Sequence, residues 1–103
     1  SKYNKNKSDA KSVTVTIDTI KSKNATVKDS AGKVLEYRII LTSSIIIKDY
    51  LTDDKLLNKT FSYSSSYKTQ DQHTETIKLE NKSIEDLVNK IYQNLLIEMS
   101  QII

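Results

Sequence analysis

The sequence holds few side chains that could do chemistry, and the first to consider is its only histidine. His73 lies in the stretch Asp71–Glu75, whose carboxylates and imidazole are possible ligands for a cation. At helical spacing these side chains diverge, which favours a solvated helix start over a metal site. Asp53 and Asp54 are adjacent acids, but aspartate in such a position is typical of a turn. We therefore predict no metal site.

The motifs of the common enzyme classes are missing as well. The chain contains no cysteine, which excludes thiolate chemistry, and one glycine is too few for a phosphate-binding loop. None of the serines stands in a glycine-rich elbow. We predict a non-enzymatic protein that needs no cofactor and acts by binding.

Composition fits one small domain with a modest core. The 103 residues are 37% hydrophobic and 28% charged, with a net charge of +3. Excess lysine suits an anionic partner, or it serves only solubility. Arg38 is the sole arginine, and this scarcity weakens a nucleic-acid interpretation because arginine is the usual reader of phosphates and bases. We divide the chain into a polar lead-in, residues 1–11, and a single domain, residues 12–103.

The elements that would position any binding residues begin with a long strand. Apolar and polar residues alternate from Val13 to Ile17, and the pattern resumes before residue 28 after blurring at Lys21–Asn24, where we predict a bulge. Asp29–Lys33 contains the only glycine and predicts a tight hairpin turn.

The second predicted strand shows the clearest alternation. Its outer face mixes polar residues with Ile40 and Ile46, which suggests that something partly covers this face or docks on it. The core face is formed by Leu35, Tyr37, Ile39, Leu41, Ser43, Ile45 and Ile47.

A third strand follows the turn Asp49–Lys55 and is rich in hydroxyl groups. It runs from Leu57 to Tyr67, with serine and threonine at nearly every outward position. The inward positions include Phe61 and two tyrosines. Tyrosines on a sheet can stack bases, but here they share the core face, which makes them core residues rather than a binding platform.

The C-terminal third changes to helical periodicity. At about 100° per residue, seven apolar side chains fall within roughly 40° of one line and predict an amphipathic helix over about residues 71–101. A capping box at Ser83 would give a later start, but the longer helix accounts for the whole stripe. The stripe consists of Ile77, Ile84, Val88, Ile91, Leu95, Met99 and Ile102. The fold class is therefore α+β, an antiparallel meander of three long strands packed against one C-terminal helix.

The order of these elements and their residue patterns resemble those of one known family. Ala25–Val27, the glycine hairpin, Leu35–Thr42, the serine-rich strand Leu57–Tyr67 and the helix Ser83–Leu96 together resemble the lipopolysaccharide-assembly lipoprotein LptE family. The resemblance spans Val13 to Leu96 and is one of pattern and order. The family's lipid-bearing cysteine, first strand and first helix have no counterpart here, which we interpret as N-terminal truncation. A missing helix that would bury Ile40 and Ile46 is a hypothesis of the same kind.

The resemblance implies a function and a location. It implies a non-enzymatic protein at the periplasmic face of the outer membrane, held there by an N-terminal lipid anchor absent from this chain. Its partners would be the β-barrel LptD, which the family plugs, and lipopolysaccharide. By the same resemblance, Lys28, Lys33 and Lys68 are the expected lipopolysaccharide-binding residues, with His73 as a second counterpart of the position matched by Lys68. Two alternatives stay open, a small basic nucleic-acid-binding module and a periplasmic adaptor with another partner.

Overall fold

The computed structural model describes residues 12–102, most of which belong to three strands and one helix. The elements are β1 (Val13–Lys28), β2 (Val34–Asp49), β3 (Lys55–Lys68) and α1 (His73–Ile102). The strands form one antiparallel sheet in the order β1-β2-β3, and α1 packs on one of its faces. This arrangement confirms the α+β meander with a C-terminal helix. The predicted lead-in, residues 1–11, lies outside the described residues.

Two aspartates close the hairpins. The Asp29 carboxylate accepts hydrogen bonds from the backbone N–H groups of Ala31 and Lys33, both at 2.9 Å, and Gly32 adopts a φ of +89° that favours glycine. In the second turn, Asp53 takes the left-handed conformation with a φ of 61°. Aspartate tolerates this region better than most residues do. Both turns fall where the sequence predicts them.

The predicted bulge in β1 is wrong in position. Lys21–Asn24 pair with β2 without a break, and the register shifts instead between Ala25 and Val27 and between Val27 and Lys28. The alternation of apolar and polar residues is lost at the lysines because β1 is an edge strand whose side chains are almost all exposed. On such a strand, the polarity of a residue does not indicate which face of the sheet its side chain occupies.

The core lies between the helix and the inner face of β2 and β3, in two clusters. The cluster nearer the β1–β2 hairpin, called the upper cluster, consists of Ile39, Leu41, Tyr67, Leu87 and Ile91. The cluster nearer the β2–β3 turn, called the lower cluster, consists of Ile45, Ile47 and Leu95. Ser43 is buried between them on β2, and its hydroxyl lies 2.7 Å from that of Thr19 on β1. The one serine on the predicted core face therefore has a hydrogen-bond partner.

Helix α1 is rotated relative to the predicted stripe. Its buried residues are Ser83, Leu87, Ile91 and Leu95. Ile77 and Val88 belong to the predicted stripe but remain 42% and 49% exposed. The helix lies over β2 and β3, and its backbone does not approach β1, so the apolar side chains that point toward β1 stay uncovered.

The outer face of the sheet carries the hydroxyl groups that the sequence places there. Thr42 and Ser62 lie 3.1 Å apart across the strands, and Ser44 and Thr60 lie 3.3 Å apart. The two-layer body is long and narrow, 65 × 25 × 16 Å. Within residues 12–102, no helix combines the length and the hydropathy that crossing a membrane would require.

The rotation of α1 can be tested with two adjacent residues. Leu87 is 0% exposed, and we expect Leu87→Ala to lower the free energy of unfolding by about 2–4 kcal/mol. Val88→Ala should cost less than about 1 kcal/mol, because half of its side chain is already in water. Urea denaturation followed by circular dichroism measures both. Equal costs would contradict the observed helix orientation.

Candidate functional site

Three elements meet at the end of the sheet that carries the β1–β2 hairpin. The segment after β3 is tied to the start of β2, because Thr69 donates its backbone N–H to the Leu35 carbonyl at 3.0 Å and its hydroxyl to the Val34 carbonyl at 3.1 Å. Helix α1 then begins at His73, where the Gln72 carbonyl accepts the first helical N–H bonds. We call the hairpin, the end of β3 and this helix start the hairpin end.

The hairpin end contains a polar cleft of about 410 Å³. The basic side chains in its lining are Lys23, Lys33 and His73, and the acidic ones are Asp71 and Glu80. This volume falls within the range of about 300–1,000 Å³ that is typical of small-ligand sites. The cleft is open to solvent, because its lining residues are exposed or half-buried and none is fully buried.

A carboxylate from the helix closes the inner wall of the cleft. Glu80 accepts hydrogen bonds at one oxygen from the Lys23 ammonium at 2.7 Å and from the Tyr67 hydroxyl at 2.6 Å. The same ammonium lies 4.5 Å from the centre of the Tyr37 ring, which stacks on Tyr67 with centroids 5.8 Å apart. These four residues join β1, β2, β3 and α1 at one point.

The bonds of this cluster shift its proton equilibria. The hydrogen bonds from Lys23 and Tyr67 lower the pKa of Glu80 below its ordinary value. The bond to Glu80 raises the pKa of Lys23, and burial followed by the Glu80 bond raises the pKa of the Tyr67 hydroxyl. The shifts of Glu80 and Lys23 keep both groups charged, so Glu80 is a structural anion and not a proton donor near neutral pH. The raised pKa of Tyr67 keeps its hydroxyl protonated as a donor to Glu80.

The three lysines expected to bind lipopolysaccharide all lie at the hairpin end. Lys28 pairs with Val34 and Lys68 pairs with Glu36, while Lys33 lines the cleft. All three are exposed, and among residues 12–102 none of their ammonium groups forms a salt bridge.

The acidic side chains near these lysines already form hydrogen bonds or ion pairs within the protein. Glu36 accepts a hydrogen bond from the Thr26 hydroxyl at 2.8 Å, and Asp29 holds the hairpin turn. Glu80 is paired with Lys23. The three lysines therefore keep their charge available for an anion, with exposed Asp71 as the main opposing charge at the cleft.

The other candidates from the sequence do not assemble into a site. In the described part of the chain, no three histidine or acidic side chains are grouped closely enough to hold a metal ion. Asp53 and Asp54 lie in the β2–β3 turn, at the opposite end of the sheet from His73. The Lys23–Glu80–Tyr67 cluster was missed from the sequence, because it depends on how α1 is placed against the strands.

The sheet tyrosines point toward the helix, as the sequence predicts. Tyr67 is 5% exposed, and Tyr37 and Tyr63 are half-buried. The Tyr63 hydroxyl accepts a hydrogen bond from the amide of Asn94 on α1. The rings are therefore occupied by contacts with the helix and offer no open platform for stacking bases.

Comparison with known proteins adds no assignment. No protein-family model matches the chain, and no curated protein matches its sequence significantly. The geometry of the hairpin end is therefore the basis for a functional proposal.

The ion pair at Glu80 predicts an acid-sensitive contribution to stability. Because its pKa is lowered in the folded state, Glu80 stabilises the fold above its unfolded pKa, and this contribution is lost as the pH falls through the folded pKa. We expect Glu80→Gln to lower the free energy of unfolding at pH 7 by about 1 kcal/mol, since the pair is partly exposed. The difference from the parent should shrink as the pH falls below about 4.

Denaturant titrations of both proteins at pH 7 and pH 3 measure this effect. Lys82→Met is the matched control, because its Asp86 partner sits one helical turn away on the exposed helix surface. It should leave the free energy of unfolding close to that of the parent at either pH, because solvent screens this exposed pair. A Glu80→Gln penalty that is the same at both pH values would refute the role of the ion pair.

Proposed function

We propose that this chain is a non-enzymatic lipopolysaccharide-assembly protein that binds lipopolysaccharide at its hairpin end. The observation that carries the proposal is the gathering of Lys28, Lys33 and Lys68 at that end without salt-bridge partners in residues 12–102. Phosphates attached to a lipid are natural ligands for such ammonium groups.

The proposed partner is the outer-membrane β-barrel LptD. Two features support a plug role. The cross-section of 25 × 16 Å is narrow, and large outer-membrane barrels enclose plugged lumens. The outer sheet face presents short hydroxyl side chains from β2 and β3, such as Thr42 and Ser62, which allow close approach of another surface. The proposed location is the periplasmic face of the outer membrane.

The alternatives have less support from the geometry. A nucleic-acid-binding module draws on the pI of about 9.0, but the three sheet tyrosines that would stack bases pack toward α1. A periplasmic adaptor with another partner would share the fold and the exposed hydroxyl face, and it is distinguished by the ligand bound at the hairpin end.

Charge reversal at the hairpin end tests the proposal. We expect Lys28→Glu to weaken lipopolysaccharide binding about tenfold, because it replaces a phosphate contact with a repulsive charge. The melting temperature should not change, since Lys28 is exposed. Lys55→Glu is the control, with the same charge change at the far end of the sheet, where Lys55 pairs with Lys48.

Binding to immobilised full chain measures both variants. Equal affinities of Lys28→Glu and the parent would refute the assigned site. Strong, salt-sensitive binding of single-stranded nucleic acid without binding of lipopolysaccharide would favour the nucleic-acid alternative.

A further inference from the structure

One side of β1 is a row of backbone groups that have no partner strand within residues 12–102. The sheet order β1-β2-β3 leaves this side open. The Ser12 carbonyl accepts a hydrogen bond from the Tyr50 N–H, and the antiparallel pairing alternates from there along the strand. Even-numbered residues therefore bond to β2, and odd-numbered residues direct their N–H and C=O groups to the open side. In the first half of the strand these are Val13, Val15, Ile17 and Thr19.

Only part of this edge is protected against pairing with another strand. Proteins usually block an exposed edge with lysine, proline or a bulge. In the second half of β1, Lys21 and Lys23 lie on the inner face of the sheet, and the register shifts between Ala25 and Lys28. The first half has none of these features and combines valine, isoleucine and threonine with a single charge, Asp18. We call the segment Val13–Thr19 the open edge.

The open edge is complementary to itself. In an antiparallel pair with a second copy, only a two-fold axis at Thr16 matches every residue of the segment with another residue of it. Val15 then lies opposite Ile17, and Val13 lies opposite Thr19, so their side chains meet on the inner face of the joined sheet. The same residues carry the free N–H and C=O groups, so hydrogen bonds form along the whole segment.

The charged residues of β1 favour the same register. A shift of the axis by one residue places Lys21 opposite Val13, and a shift by two places the Asp18 carboxylates of the two copies opposite each other. Like charges in this position are destabilising. With the axis at Thr16, Asp18 lies opposite the Thr14 hydroxyl, which is able to donate to it, and Lys21 falls outside the paired segment.

Exposed apolar side chains lie beside the open edge on the inner face. Ile17 on β1 and Val88 and Tyr92 on α1 border an open groove of about 190 Å³. The three side chains are 47%, 49% and 57% exposed, although each has a large apolar surface. In the joined sheet, two uncovered β1 strands would lie side by side between the two helices. Pairing therefore removes apolar surface of both copies from water.

The size of the contact indicates a weak dimer. The open edge is about 24 Å long, and the body is 16 Å thick. In projection this is roughly 400 Å² per copy, which is at the low end of specific interfaces. Main-chain hydrogen bonds contribute affinity as well, as they do wherever a strand is added to an exposed sheet edge. We therefore expect a dissociation constant in the micromolar range.

We propose that the open edge pairs with a second copy of this chain and forms a two-fold symmetric dimer with one continuous sheet. This inference goes beyond the proposed function and does not depend on it. The hairpin ends lie at opposite ends of the dimer, so Lys28, Lys33 and Lys68 stay exposed in both copies. Because pairing doubles the width of the sheet, a copy that plugs a barrel would be a monomer.

Sedimentation velocity of the full chain across the micromolar range tests the dimer. Ile17→Lys should raise the dissociation constant at least about tenfold, because it places a charge on the open edge. Ile97→Lys is the matched control, since Ile97 is 55% exposed and follows Asn94 by one helical turn. Asn94 bonds to Tyr63 on β3, so Ile97 lies on the side of α1 away from β1. This control should stay within about twofold of the parent.

Disulfide formation tests the register, because the chain contains no cysteine of its own. Thr16→Cys should form a disulfide-linked dimer on oxidation, since the two copies of residue 16 face each other with Cα atoms about 4.5 Å apart. Thr14→Cys is the control on the same face of the same strand. Its two copies would be four residues apart along the strands, roughly 13 Å, which is too far for a disulfide.

Each outcome supports or overturns the dimer. A parent chain that sediments as a monomer throughout the micromolar range overturns it. Equal dimerisation of Ile17→Lys and Ile97→Lys does so too, as does equal disulfide formation by the two cysteine variants. Melting temperatures identify a variant that fails to fold, and the cysteine pair decides if the lysine pair is lost. None of these measurements involves lipopolysaccharide, so the dimer and the proposed function fail or stand separately.

Discussion

One helix is too narrow to cover three strands, and most features of this molecule follow from that mismatch. A helix with its side chains is about 10–12 Å wide, and strands are spaced ~4.8 Å apart, so α1 covers two strands and no more. It lies on β2 and β3 and leaves the inner face of β1 uncovered. The apolar surface of the helix is wider than this contact, so Val88 and Tyr92 remain in water beside Ile17. An open groove between β1 and α1 is the space that results.

The sequence predicted the elements in which one face is buried, because burial requires apolar residues to recur at a regular spacing. β2 lies between two neighbours and under the helix, and its alternation appears directly in the buried row from Ile39 to Ile47. The turns were also predictable, because the carboxylates of Asp29 and Asp49 accept backbone N–H bonds within a few residues. Local chemistry of this kind needs no knowledge of the rest of the fold.

The errors arose where distant contacts decide the outcome. The stripe on α1 was predicted from helical periodicity alone, but the sheet selects the part of the helix surface that faces β2 and β3 and leaves Val88 exposed. The bulge in β1 was misplaced because an edge strand carries little information about facing. The Lys23–Glu80–Tyr67 cluster joins residues up to 57 positions apart, and no local pattern predicts their meeting. Lys28, Lys33 and Lys68 were predicted as binding residues from a family resemblance. The strand register of the structure then shows that they lie at one end of the sheet.

The division of the core at Ser43 bears on how the molecule moves. The Ser43 hydroxyl is hydrogen-bonded to Thr19 on β1 and adds no apolar contact between the upper and lower clusters. The clusters are therefore connected by Phe61, which packs against both, and by the helix itself. The lower cluster is the smaller of the two. We therefore expect the last turns of α1 to open without global unfolding, as a separate cooperative unit. Native-state amide exchange would show this as faster exchange after Leu95 than around Leu87, and uniform protection along the helix would rule it out.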